Sequence, residues 1–256
     1  MNVTVRIAMA IAIGVYAPGV VRAEHDHSGH AGHAIAEPQP FDLGAGLVLA
    51  RYETQLYAGD YQGVKPSAAW HQGRYGVSAE LGFYRVTENG ARYFGFGDLL
   101  VGAGASIWSH DKARLAVGVP VSLPIGDHVH GLGMGHVMVM PTLVAGYDRL
   151  TASVTYGRAI GGEAHHVGHG VWPLIDPMNM QEVAWSLSGS FPLGRALAMG
   201  GRFGGALAIG DGTNRVNAAW EVVWTEGRVT TKFDIFTGFA SDPIVVGGGL
   251  SSEVSF

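Results

Sequence analysis

Apolar and polar residues alternate with a period of two along most of this chain. In 75–84, Tyr75, Val77, Ala79, Leu81 and Phe83 fall on one face, and Gly76, Ser78, Glu80, Gly82 and Tyr84 on the other. Leu115, Val117, Val119, Val121 and Leu123 repeat the pattern, as do Leu150, Ala152, Val154 and Tyr156. Val183, Trp185, Leu187 and Phe191 form another such face, and Val216, Ala218, Trp220, Val222 and Trp224 a further one. Successive side chains of a strand point to opposite sides, so this period predicts strands and not helices. The predicted strands lie near 41–52, 64–71, 75–86, 96–108, 113–125, 136–147, 149–160, 181–191, 195–209, 214–225, 228–239 and 245–256. Pro120, Pro124 and Pro141 fall inside these segments, where a missing N–H predicts bulges or ladder ends.

The second face separates a barrel from a soluble sandwich. It is small and polar, made of Gly, Ala, Ser and Thr with scattered charges, while the apolar face is unbroken and the strands are long. The connectors also alternate in length. Tight turns near 71–75, 109–113, 147–150, 192–195 and 224–228 alternate with longer loops at 53–63, 87–95, 126–135, 161–179, 210–214 and 240–245. Apolar-out strands, with short turns at one end and long loops at the other, mark an outer-membrane barrel. In lipid every backbone group needs a partner, and a closed sheet is the β solution. The expected fold is therefore all-β: a closed antiparallel transmembrane up-and-down barrel of twelve strands, or ten without the first two segments. Trp70, Tyr75, Tyr147, Phe191 and Trp224 cluster near the short-turn end, where an aromatic girdle belongs.

Composition adds a leader and removes some function classes. Residues 1–23 have a basic start, an apolar stretch at 7–21 and a small residue at Ala23, the features of a secretory signal peptide. Loss of that leader removes Arg6 and Arg22 and no acid, taking the formal net charge from −5 to −7. That balance does not favour nucleic acid. The chain has no Cys, which excludes a disulfide framework. The expected organisation is a signal peptide at 1–23, a disordered His-rich periplasmic segment at 24–40 and a barrel at 41–256.

Two stretches carry resemblances. The final residues alternate Leu250, Ser252, Val254 and Phe256 against Ser251, Glu253 and Ser255. They resemble the C-terminal strand by which bacterial outer-membrane barrels are recognised for assembly, which implies outer-membrane lipid and the barrel-assembly machinery as partners. "GFGDLLVGAGASIW" at 95–108, followed by "LAVGVPVSLPIGD" at 115–127, resembles the family of predicted outer-membrane transporters associated with the MetA pathway of phenol degradation. Ile125 stands where that family's pattern has Thr. The resemblance implies a barrel and transport, and carries no catalytic residues.

The candidate chemistry is metal-ligating. His25, His27, His30 and His33 lie in a short tract that cannot bury a core, and a His-rich tract of this kind is a metal-binding composition. The tract suits exchangeable Cu(II), Zn(II) or Ni(II). It resembles the His- and Ser-rich leaders of periplasmic copper-handling proteins, without their interleaved Met. If the long loops face outward, His128, His130, His165, His166 and His169 lie in two of them, and parity turns His136, Met138 and Met140 inward. Met134 precedes this group and Met178 and Met180 follow the second loop. Imidazole suits Cu, Zn and Ni, and thioether selects Cu(I), so copper ranks first and zinc second as a bound ion. Equally, Met138 and Met140 are ordinary gap-fillers, and a lone loop His is ordinarily solvated.

The same parity places Glu80, Asp98, Arg202, Glu221, Lys232, Asp234 and Glu253 inward, as a pore lining or as paired charges filling a narrow lumen. The expected function is an outer-membrane channel or transporter for small solutes, linked to copper or zinc handling. The alternatives are an uptake channel for small aromatic or hydrophobic compounds and a non-transporting metal-binding barrel. An outer-membrane hydrolase would need a Ser nucleophile paired with a His base. "WSHD" at 108–111 sits in a tight turn with its groups on opposite faces, so no enzyme is expected.

Overall fold

A computed structural model describes residues 40–53, 58–161, 175, 178–239 and 242–256. Its strands, in chain order, are β1 (Phe41–Glu53), β2 (Ala58–Gln72), β3 (Tyr75–Glu88), β4 (Ala91–His110), β5 (Ala113–Leu123), β6 (Val137–Val139), β7 (Thr142–Tyr147), β8 (Leu150–Ile160), β9 (Gln181–Pro192), β10 (Leu197–Ala208), β11 (Arg215–Glu226), β12 (Val229–Phe239) and β13 (Ile244–Ser255). A 3-10 turn, His128–His130, lies between β5 and β6. The strands pair antiparallel in chain order, with β6 and β7 both lying between β5 and β8. β1 pairs with β13, so the sheet closes. Phe41 and Phe256 seal that seam: the Phe256 N–H donates to the Phe41 carbonyl at 2.7 Å and the Phe41 N–H to the Phe256 carbonyl at 3.3 Å.

β6 and β7 are two halves of one stave, so the barrel has twelve. Val139 pairs with Val121 and Arg158; beyond the gap, Thr142 pairs with Gly118 and Thr155. Both sets of pairs keep one register. The gap exists because Pro141, and Pro120 on β5 opposite Met140, have no N–H to donate; the Met140 N–H still reaches the Pro120 carbonyl at 2.9 Å. Here proline opens a ladder without bulging it, and Pro124 falls just past the end of β5.

The period of two resolves into lipid and lumen. In β1 the exposed positions are Phe41, Leu43, Ala45, Leu47 and Leu49, and the sheltered ones Asp42, Gly44, Gly46, Val48 and Ala50. Leu49 is 56% exposed and Leu187 52%. An apolar belt that open to water would be a severe liability, whereas in lipid it is the required surface. Tyr75, Tyr147, Phe191 and Trp224 are exposed at the short-turn end, with Phe41 and Phe256 beside them.

Short and long connectors alternate as the pattern predicts, with one exception. The expected loop at 87–95 is a two-residue hairpin. Asn89 and Gly90 have φ of 46° and 89°, so both residues occupy the left-handed region that an Asn-Gly hairpin turn needs. β2 likewise starts at Ala58, earlier than the predicted residue 64.

Of three register shifts in the sheet among the described residues, the one between β3 and β4 shapes the barrel interior. Phe83 pairs with Phe96, but Leu81 pairs with Leu99, so β4 carries an extra residue and sets Gly97 and Asp98 opposite Gly82. A bulge of this kind re-aims a side chain, and here the side chain is a carboxylate in the lumen.

Candidate functional site: the lumen and its plug

The loop between β5 and β6 is an expected external loop that folds inward instead. Leu132, Gly133 and Met134 are buried within the barrel mouth. Asp98 holds this plug from the bulge. Its carboxylate accepts the Gly126 N–H at 3.0 Å and the Met134 N–H at 2.8 Å, gripping the loop at both ends. Bare backbone makes the approach close. A Cβ on Gly133 would lie 2.3 Å from Asp98 Oδ1, and one on Gly95 would lie 2.7 Å from Leu132 Cδ1. Asp127 caps the short helical turn through the Val129 and His130 N–H groups. The bond from His130 Nδ1 holds the Asp127 carboxyl below the usual carboxylate range.

A layer of aromatic and aliphatic side chains fills the loop-side half of the lumen around the plug. Tyr52, Tyr61, Tyr84, Val86, Leu132 and Ile244 are among its buried members. Tyr84 meets Tyr61 edge to face, with ring centroids 6.1 Å apart. Its ring lies over Gly63, Gly82 and Gly97 on three adjacent strands, each too close for a Cβ. The Tyr52 hydroxyl donates to the Thr87 carbonyl at 2.9 Å. On the opposite wall, Met134, Met138, Met140 and Met178 pack together.

A buried ionic network ties the loops above this layer. Arg215 Nη2 donates to both carboxylate oxygens of Glu182, at 3.0 and 2.8 Å. Asn179 adds its N–H and its side-chain amide to Glu182 Oε2, at 2.8 and 2.7 Å, and exchanges hydrogen bonds with the backbone of Thr213. The segment entering β9 is thereby fastened to the β10–β11 loop. Nearby, burial pushes the Asp242 carboxyl up to about 6, although it accepts the Ile244 N–H at 3.0 Å.

The short-turn half is different. Lys65 pairs with Glu80, and Lys232 with Glu221 at 3.3 Å; the side chains of the second pair are 37% and 33% exposed although they face inward. Arg202, Asp234 and Glu253 share their parity. The Glu221 and Asp234 carboxylates lie against bare Gly200 and Gly249. These charges occupy the arc from β10 through β13 to β3. The facing arc is mostly hydroxyl, with Ser153 bonded to Ser186 at 2.7 Å and Ser188 to the Thr151 carbonyl at 3.4 Å, and carries Arg114, whose guanidinium donates to Thr151 Oγ1 at 3.5 Å. Between the two halves lies a cavity of about 30 Å³, lined by Glu80, Asp98, Ser122, Met134, Met140 and Met178 among others. That is room for water or an ion.

All seven inward charges expected from parity (Glu80, Asp98, Arg202, Glu221, Lys232, Asp234 and Glu253) lie on lumenal positions. The histidines are spread out. His128 is exposed, His130 stacks on Tyr93 with ring centroids 4.0 Å apart while engaging Asp127, and His136 is buried at 4% exposure. Among the described residues no three His, Cys, Asp or Glu side chains converge to hold a metal. His25, His27, His30, His33, His165, His166 and His169 lie outside the described residues, as do the expected leader and most of segment 24–40. Parity also places Glu182 and Arg215 inward, but a lone inward charge does not reveal its partner.

A closed barrel with an apolar girdle and a polar lumen defines the class: a transmembrane β-barrel of the outer-membrane type. Solved structures agree on the fold. An outer membrane channel from Pseudomonas putida F1 superposes with a TM-score of 0.64 at 10% identity, covering 88% of this chain and 100% of that one. The KdgM porin, solved in complex with disordered oligogalacturonate, gives 0.54 at 8% identity, covering 84% of this chain and 99% of that one. No family model and no curated protein matches the chain by sequence, so the resemblance to the phenol-degradation family has no match at that level.

Proposed function

We propose that this chain is a bacterial outer-membrane channel for small solutes, with copper or zinc ions among its cargo, closed in the present state by the β5–β6 loop. The observation that carries the reading is the contrast between wall and plug. The short-turn half presents part-exposed charges to an interior space, a lining that holds water. The plug above it is not woven into the sheet; Asp98 grips its backbone at both ends, the Ile175 N–H reaches the Gly131 carbonyl at 3.4 Å, and Leu132 packs into the aromatic layer. With the short turns in the periplasm, the plug faces outward and the His-rich segment enters from the periplasmic side. Its imidazoles support metal ions as cargo, and Phe256 in the seam strand fits delivery by the barrel-assembly machinery. No chemical step is assigned: His110 pairs with Asp111 at 3.5 Å in an exposed turn, away from the lumen.

Tyr52, Tyr61, Tyr84 and Phe236 in the loop-side layer favour a second reading, passage of small aromatic compounds. Planar-bilayer recording of the purified protein separates the two. Discrete ionic steps whose current changes with added Cu(II) or Zn(II) support the first reading. Uptake of a small aromatic probe into vesicles with no ionic conductance supports the second.

A further inference from the structure

We infer that the methionine cluster on the lumen wall is a binding station for Cu(I). Four of the chain's eight methionines, Met134, Met138, Met140 and Met178, are buried together. They come from three places: the plug, the β6 stave with its proline gap, and the segment entering β9. One methionine fills a gap. Four that converge from separate segments beside a cavity form a donor set.

The geometry suits an ion. Met134, Met140 and Met178 line the cavity, so their side chains face space as well as each other. On β8, the strand between the β6 stave and β9, bare Gly157 lets the thioethers close in: a Cβ there would lie 3.3 Å from Met178 Cε, 3.4 Å from Glu182 Cγ and 3.8 Å from Met138 Sδ. Asp98, Ser122 and the Lys65-paired Glu80 line the same cavity, and the Asp98 carboxylate offsets a positive charge that neutral thioethers leave uncompensated. Asp98 also accepts the Met134 N–H at 2.8 Å, fixing the main chain that carries one thioether. Thioethers are soft donors and select Cu(I) over Zn, Mg or Ca. The chain has no Cys, so methionine is its sole sulfur source. Naming this ion as cargo rests on the channel reading; the binding itself stands on the cluster.

The test uses the full chain with His25, His27, His30 and His33 replaced by Asn, so that tail imidazoles do not compete. Anaerobic titration with Cu(I) against a chelator gives affinity, and X-ray absorption at the copper edge gives the ligand atoms. Sulfur scatterers around bound copper are expected. The fourfold variant M134L/M138L/M140L/M178L, which conserves volume, should bind at least about tenfold more weakly. Copper bound through nitrogen and oxygen alone overturns the proposal, as does equal affinity in the Leu variant. If that variant does not fold, the scatterers in its parent decide. Bound copper with sulfur ligands in a protein that conducts nothing would refute the channel and leave the site standing.

Discussion

The two halves of the lumen share one sheet and one period, yet they are built from opposite chemistry. The loop-side half buries Tyr52, Tyr61, Met138 and Leu132 to nearly zero exposure. Its buried carboxylate Glu182 is held by Arg215 and Asn179. The short-turn half leaves Glu221 and Lys232 about one-third exposed, across from a wall of hydroxyls and the Arg114 guanidinium. A strand pattern fixes only which side chains turn inward. Whether they close the space depends on their size and on what the loops bring, and here one loop supplies the closing residues.

The sharpest way to break this contrast is to remove one carboxylate from each half. Glu182→Ala strands the buried guanidinium of Arg215 and two donors of Asn179, so urea unfolding should show a loss of about 3–5 kcal/mol. Glu221→Ala removes a part-solvated partner, and the same measurement should show about 1 kcal/mol or less. Equal losses would mean that the two halves are not distinct.

Asp98→Ala comes next. It leaves two buried N–H groups without an acceptor, a cost of about 1–3 kcal/mol each where they stay buried. The plug should swing out to rehydrate them, and bilayer recordings should show larger, longer openings than the parent. Unchanged gating would mean that the loop is held by its packing alone.

A smaller effect is expected from pH. The Asp242 carboxyl is raised to about 6 by burial, so its ionised form is disfavoured in the folded protein. A raised pKa contributes stability that is complete below the unfolded value, about 3.9, and is lost as pH rises through about 6. Hydrogen exchange at Ile244, corrected for intrinsic rate, should therefore be slower at pH 5 than at pH 7, and Asp242→Asn should abolish the difference.

Much of the fold was legible because alternation, turn length and the aromatic girdle are local signals that lipid makes obligatory. The inward charges came from the same parity. The sequence did not show where the β5–β6 loop goes, because its inward course depends on Asp98 reaching Gly126 and Met134, contacts 28 and 36 residues apart in the chain. The Gly-Phe-Gly-Asp stretch was visible only as a resemblance. Its physical role is a bulge that aims the carboxylate, with glycines that let Tyr84 and Leu132 approach. The hairpin at Asn89-Gly90 was locally readable, and its turn chemistry outranked the polar stretch that made 87–95 look like a loop.

The divided lumen is tested most directly by thiol accessibility, which the absence of native cysteine makes clean. Val129→Cys and Ser188→Cys would be labelled with a membrane-impermeant maleimide, added first to intact cells and then from the periplasmic side. Outside reagent should reach Val129→Cys quickly and Ser188→Cys only slowly, while periplasmic reagent reaches Ser188→Cys quickly. Equal labelling of Ser188→Cys from both sides would show that no barrier closes the loop-side half.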